Sequence, residues 1–322
     1  MSVDFSVVIP TYNGASHLPE LLEQLRSQVC PENLSWEVIV VDNNSTDDTA
    51  QVVRDYQAKW LSDSPLKYVL EKQQGAAFAR QRGIEEARGK LVGCLDDDNL
   101  PTPNWVAAAC AFAQAHPQAG AYGSQIHGKF EVKPPEYIKS IGTYLAIIER
   151  GSKPRLYEPE KKMLPPGAGL VLRKQAWEQE VPKSLFLNHQ GRGAGLASED
   201  LEVVLHIQNA GWEIWYNPEM EIEHKIPPWR LEKDYLVSLV RCVGLSRHYI
   251  RMLRLANWQR PFITPLYILN DLRQLVAYWL KQPKEQKHEV VVACEQQLLL
   301  SILISPFFLW KKRYLDWLEH KS

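Results

Sequence analysis

The chain has 322 residues, room for one large α/β domain or for one domain with a helical appendage. Hydrophobic residues make up 45% of it and charged residues 23%, a balance that excludes a disordered chain. The formal net charge is −1, so no nucleic-acid-binding surface is expected.

Phe5-Ser-Val-Val-Ile-Pro10 is a short apolar run closed by proline, the pattern of a buried strand, and no secretory-signal pattern precedes it. Residues 36–41 and 91–95 repeat the pattern, and residues 67–70 are a shorter version. Leu18, Leu21, Leu22 and Leu25 recur at i, i+3, i+4 and i+7, which predicts a helix. A second helix is expected from Ser45 or Thr46, capped by a hydroxyl, with Asp47 and Asp48 in its first turn. A third spans residues 76–88, and Thr102 followed by Pro103 announces a fourth. Strands alternating with helices imply an α/β fold, a doubly wound and mostly parallel sheet covered on both faces.

From about residue 124 the rhythm changes. Residues 128–166 are rich in Pro, Lys and Glu and read as an insertion or flexible connection. A strand-like segment follows around Pro165-Pro-Gly-Ala-Gly169, whose glycines let backbone approach a ligand closely. Residues 201–210 read as a helix, 212–216 and 220–223 as short strands, and 232–320 as almost purely helical. No window reaches the roughly 18 apolar residues of a spanning helix. The longest candidate, residues 298–310, is shorter and contains Pro306. Five scattered cysteines form no C-x-x-C pair, which suits reduced thiols, and the body of the protein is expected in the cytoplasm.

The most informative stretch is Cys94-Leu-Asp96-Asp97-Asp98-Asn99. It delivers three aspartates at a strand's carboxyl end, where ligands bind in open α/β sheets. Adjacent carboxylates repel one another, and a divalent cation that prefers oxygen ligands, Mn²⁺ or Mg²⁺, offsets this. In an extended segment Asp96 and Asp98 share one side and Asp97 points to the other. A solvated acidic turn accounts for a bare D-x-D equally well.

Further motifs stand in order around it: Val8-Ile-Pro-Thr-Tyr-Asn13, Val40-Val-Asp42-Asn-Asn-Ser-Thr-Asp47, Gly75-Ala-Ala-Phe-Ala-Arg80-Gln-Arg-Gly83, Ser198-Glu199-Asp200 and His224. With these, residues 5 to about 230 resemble the inverting family-2 glycosyltransferases, which have a Rossmann-like GT-A fold. The resemblance implies a GT-A domain over residues 1–230, with a nucleotide-binding half (1–123) and an acceptor half (124–230), before a helical region at 231–322. It implies that Pro10, Thr11, Tyr12, Asn13, Asp42, Gly75, Arg80, Asp96 and Asp97 bind a nucleotide-sugar donor, expected to be a UDP-sugar. Asp98 and His224 would hold Mn²⁺ or Mg²⁺. Asp200 would take the proton from the acceptor hydroxyl, and Glu199 would orient the acceptor. Gln73, Gln81 and Ser198 depart from the residues the family often has, Ser198 standing where glycine is common.

The alternatives are a nucleotidyltransferase and a non-catalytic nucleotide-sugar-binding component of a polysaccharide assembly complex. The first wants a Gly-rich basic phosphate loop that Pro10-Thr-Tyr-Asn-Gly14 does not supply, and the pairing of Asp98 with Asp200 speaks against the second. Processive synthases of the family carry Gln-x-x-Arg-Trp, which Trp258-Gln-Arg260 does not match, so single-sugar addition to a saccharide or lipid-linked acceptor is expected. The tail mixes apolar and aromatic residues with Arg241, Arg247, Arg251, Arg254 and Lys311-Lys-Arg313. Such helices suit peripheral contact with an anionic membrane, here the inner face of the plasma membrane, or a helical subdomain or dimer interface. A weaker similarity is to cyanobacterial exopolysaccharide glycosyltransferases, including those of hormogonium polysaccharide.

Overall fold

The computed structural model describes residues 3–60, 64–161, 163–188, 196–280 and 288–319. Four parallel strands form one half of a single sheet: β1 (Val3–Thr11), β2 (Trp36–Asp42), β3 (Leu66–Leu70) and β4 (Gly89–Cys94). Their spatial order is β3-β2-β1-β4. Every residue of β2 is buried, as expected of a parallel strand covered on both faces. The helices that follow these strands are α1 (Leu18–Arg26), α2 (Thr49–Gln57), α3 (Ala76–Glu86) and α4 (Trp105–Ala115). Leu18, Leu21, Leu22 and Leu25 are the buried face of α1. Because β1 lies between β2 and β4, the strand order reverses there, and a crevice opens past Thr11 and Cys94.

The other half is mixed. β5 (Asn99–Pro101), β6 (Ala119–Phe130), β7 (Arg155–Leu156), β8 (Leu170–Arg173) and β9 (Glu213–Ile226) extend the sheet as β4-β8-β6-β9. β8 runs antiparallel to both neighbours, β6 pairs parallel with β9, and β5 and β7 both pair with β9. The helices of this half are α5 (Ile138–Ile141), α6 (Lys174–Glu180) and α7 (Glu199–Asn209).

Several boundaries differ from expectation, each for a local reason. The second helix starts at Thr49, because Ser45 and Thr46 tie loops together: Asn13 N donates to Ser45 Oγ, and Thr46 N donates to Asn13 Oδ1. The third helix stops at Glu86, and the fourth begins at Trp105 because β5 intervenes and pairs with β9. Residues 128–166 are not a loose connection, since Ile138, Ile141, Leu145 and Ile148 are all buried. The two short strands expected at 212–223 are one strand, β9, with a register shift against β6.

Three helices complete the described chain: α8 (Lys233–Leu253), α9 (Arg260–Leu280) and α10 (Glu289–Glu319). Ser246, Ser301 and Ser305 are fully buried where α8 and α10 pack. The expectation that no helix is long and apolar enough to cross a membrane is corrected here. Pro306 lies inside α10 without ending it, and the most apolar 18-residue window of Glu289–Tyr314 has a mean hydropathy of 1.7, with 28% of that window buried in the protein.

At the edge of the sheet opposite the crevice, the carboxylate of Glu37 is 2% exposed and fully engaged. Its Oε1 accepts from Ser6 Oγ and Arg88 N, both at 2.8 Å, and its Oε2 accepts from Arg88 Nε and Nη2 at 2.9 and 2.7 Å. Burial opposes the charge, but the hydrogen bonds from Arg88 and Ser6 outweigh it and lower the pKa. A lowered folded-state pKa adds stability that is complete above the ordinary glutamate value and fades as the pH falls through the folded one. Glu37→Ala, which leaves Ser6 and the Arg88 amide without their acceptor, is therefore expected to cost about 2 kcal/mol. Urea melts of the two proteins should differ by that amount at pH 7 and converge toward acid.

Candidate active site

The crevice is a cleft of about 510 Å³ whose walls include Pro10 and Thr11 at the end of β1, Tyr12 just after it, Gly75 just before α3 and Arg80 within it, and Asp96, Asp97 and Asp98 after β4. Across from them lie Glu199, the first residue of α7, His224 of β9, and Trp229 and Arg230 beyond it. Tyr144, Leu145 and Ala146, from the segment read as flexible, close one side.

The three aspartates do not alternate along an extended strand. Asn99 N donates to Asp96 O at 2.9 Å, closing a turn. The Asn99 side chain clamps that turn, accepting from Asp96 N at 3.0 Å and donating to Asp98 Oδ1 at 2.9 Å. All three carboxylates consequently reach the cleft, each with its own partner. Asp96 accepts from Arg80 Nη2 at 2.6 Å, Asp97 from Thr11 Oγ1 at 2.6 Å, and Asp98 from Arg230 Nη2 at 2.7 Å. Burial, and next the charge of Asp98, push Asp97 up to about 7.

Arg80 joins the halves of the site. Its Nη1 donates to Glu199 Oε1 at 2.7 Å while Nη2 holds Asp96. Asp200 stands behind this bridge. It does not line the cleft but borders a smaller apolar cavity together with Arg80, Glu199, Trp177 and Val203. Its oxygens accept from Gly167 N at 2.5 Å and Leu201 N at 2.8 Å. Burial first, then the neighbouring Glu199, raise Asp200 to about 6, against the opposing pull of Arg80.

Asp42 and Asn13 were expected on the donor and do not line the cleft. Asp42 is 3% exposed, and its oxygens are taken by Ser45 N and Tyr68 Oη at 2.8 and 2.7 Å. The next residue, Asn43, faces the cleft instead and accepts from Gly75 N at 2.8 Å. Gly75 has φ 140°, and a Cβ there would fall 2.2 Å from the Asn188 side chain. Asn13 is exposed and ties the first loop to the second.

The sequence pattern of glycosyl transferase family 2 matches residues 6–178, just over half of the chain. The chain belongs to that family. It is a glycosyltransferase, and full-length similarity agrees: the glycosyltransferase AglE of Haloferax volcanii is 36% identical over 288 residues, 89% of this chain and 86% of that protein. The glucosyl-dolichyl phosphate glucuronosyltransferase of the same organism is 23% identical, over 84% of this chain and 86% of its own length. Two solved structures share the fold. The mannosyltransferase PcManGT of Pyrobaculum calidifontis, in complex with GDP-Man and Mn²⁺, superposes with a TM-score of 0.60 at 20% identity, covering 96% of this chain and 87% of that one. Residues 1–349 of Staphylococcus aureus TarS, in complex with UDP-GlcNAc, give 0.55 at 17% identity, covering 94% and 91%.

For a family-2 glycosyltransferase the acidic turn raises the question of a divalent cation. Among the described residues no three His, Cys, Asp or Glu side chains gather around one point. Two do: His224 Nε2 and Asp98 Oδ2 lie 3.5 Å apart. The imidazole is set up to coordinate, because His224 Nδ1 is 2.9 Å from the Leu145 carbonyl, which can only accept. The hydrogen therefore sits on Nδ1 and the lone pair of Nε2 faces Asp98. A carboxylate and an imidazole so placed fit Mn²⁺ or Mg²⁺, with the remaining positions open to phosphate and water.

Arg230 is the residue that sequence reasoning missed. Its signal was the pair Pro227-Pro228, which follows β9 and opens the turn that brings Arg230 back to His224. Ser198, noted for standing where the family often has glycine, proves to be left-handed at φ 82°. That conformation costs an L-residue about 1 kcal/mol or more. Ser198→Gly is expected to raise the melting temperature by roughly 2–4 °C, measured by thermal denaturation.

Proposed function

We propose that this glycosyltransferase moves a sugar from a UDP-sugar to an acceptor hydroxyl in one inverting displacement, with Asp200 as the base. The observation that carries the reading is the cleft shared by the acidic turn, Arg80, Glu199 and His224, which Asp200 adjoins through Arg80 and Glu199, residues that line both the cleft and the smaller cavity behind it. Tyr12, 52% exposed at the cleft, offers a ring face to the base, and Asn43 offers polar atoms beside it. Mn²⁺ or Mg²⁺, when bound by Asp98 and His224, would take up charge on the departing diphosphate. Arg80 keeps Asp96 and Glu199 in place and adds positive charge beside the phosphates. Glu199 orients the acceptor. Asp200, raised to about 6, is ionised at pH 7 yet more basic than a solvated aspartate, which suits proton removal. One displacement needs no carboxylate nucleophile.

The tail fits a lipid surface. On α9, Phe262, Leu266 and Leu269 form an exposed stripe at helical spacing, and on α10 Ile304, Phe307 and Trp310 form another, next to Lys311 and Arg313. Such a face, turned to an anionic membrane, would bring the enzyme to a lipid-linked acceptor; one relative is named for a dolichyl phosphate-linked substrate.

A screen of UDP-, GDP- and TDP-sugars with Mn²⁺ should show release of UDP above all, abolished by chelator. Asp200→Asn is expected to lower kcat by about 10²–10⁴ while donor binding persists. The wild-type rate should fall below about pH 6, where a proton on Asp200 removes the base. Turnover unchanged in the variant takes the role from Asp200.

Flotation tests the second part. The protein should rise with vesicles containing anionic lipid at low salt, and less with neutral ones. Residence in the soluble fraction under both conditions defeats the membrane reading.

A further inference from the structure

We infer that Arg230 is a built-in counter-cation of the metal site, which holds Asp98 and His224 while the divalent ion is away and is displaced when the ion binds. This rests on the metal-dependent reading above. Arg230 Nη2 donates to Asp98 Oδ2 at 2.7 Å, and Nη1 donates to His224 Nε2, also at 2.7 Å. These two acceptor atoms are the ones suited to a cation, so guanidinium and metal exclude one another. Asp98 is only 8% exposed and has two further aspartates beside it. Without some cation its buried carboxylate is uncompensated, a strongly unfavourable state.

The guanidinium is not fully satisfied there. Arg230 Nε is buried with no hydrogen-bond partner among the described residues, and the ring of Trp229 lies 5.3 Å from the guanidinium carbon. The residue sits on the single turn Pro228–Leu231 between β9 and α8. Rotation of its side chain vacates the site without moving either element. Arg230 also lines the cleft, so a nucleoside diphosphate entering with the ion gives the displaced guanidinium an anion to pair with. Metal and diphosphate should thus bind cooperatively, with Arg230 supplying the coupling.

The test is Mn²⁺ binding, followed by the EPR signal of the free ion, in the wild type, Arg230→Ala and Arg230→Gln. Gln keeps most of the side chain should Ala loosen the turn. Both variants are expected to bind Mn²⁺ alone about tenfold more tightly than the wild type, since the competing charge-assisted bonds are gone. UDP should raise the Mn²⁺ affinity of the wild type and raise that of the variants less. Equal or weaker Mn²⁺ binding by both variants overturns the counter-cation and leaves the metal-dependent reading standing. No Mn²⁺ binding by any of the three proteins, with or without UDP, overturns both.

Discussion

The constraint on which this site depends is electrostatic: five carboxylates, Asp96, Asp97, Asp98, Glu199 and Asp200, come together with only two arginines among them. Like charges this close do not stay ionised in a poorly hydrated site without compensation. Arg80 binds Asp96 and Glu199, and Arg230 binds Asp98. The two carboxylates left over, Asp97 and Asp200, are the ones whose pKa rises, to about 7 and about 6. The surplus of negative charge suits the cleft to a cation, while burial first and the neighbouring carboxylates second raise Asp97 in the cleft and Asp200 behind it.

The fold supplies this charge from two separate sources. The acidic turn comes from the parallel half of the sheet, where the strand order reverses. Glu199 and Asp200 come from the first turn of α7, where the helix dipole favours anions. Gly167 sets the distance between them: a Cβ there would lie 3.1 Å from the Asp200 Cβ and 3.3 Å from the Arg80 guanidinium carbon. In Pro165-Pro-Gly-Ala-Gly169 the close approach read from the glycines is, at Gly167, an approach to the chain's own Asp200 and Arg80.

What was legible in the sequence was what is local. The apolar runs that became β1, β2 and β4, and the leucine spacing of α1, need no partner to be recognised, because burial dictates them residue by residue. The ordered motifs named Arg80, Asp98, Glu199 and His224, four residues that line one cleft. What was hidden depends on particular side-chain partners, some of them distant in sequence. Ser45 is a fine helix cap in isolation, but Asn13, far away in sequence, claims it. The alternation of the three aspartates fails because Asn99 pulls them into a turn. Arg230 has no catalytic motif of its own and acquires its place through His224 and through Asp98, 132 residues earlier.

The helical tail shows the same dependence in the opposite direction. A boundary at residue 230 separates two kinds of sequence, yet it does not separate the site from the tail. Tyr235 and Leu239 of α8 line the cleft, and Tyr249 on the same helix donates to Glu202 Oε1 at 2.7 Å, one turn along α7 from Glu199. The other Glu202 bonds, from the Phe186 and Leu187 amides, fix the segment leading toward α7. α8 is therefore a wall of the cleft on one side and the packing partner of α10 on the other. Any force that positions α10 bears directly on the helix that lines the cleft.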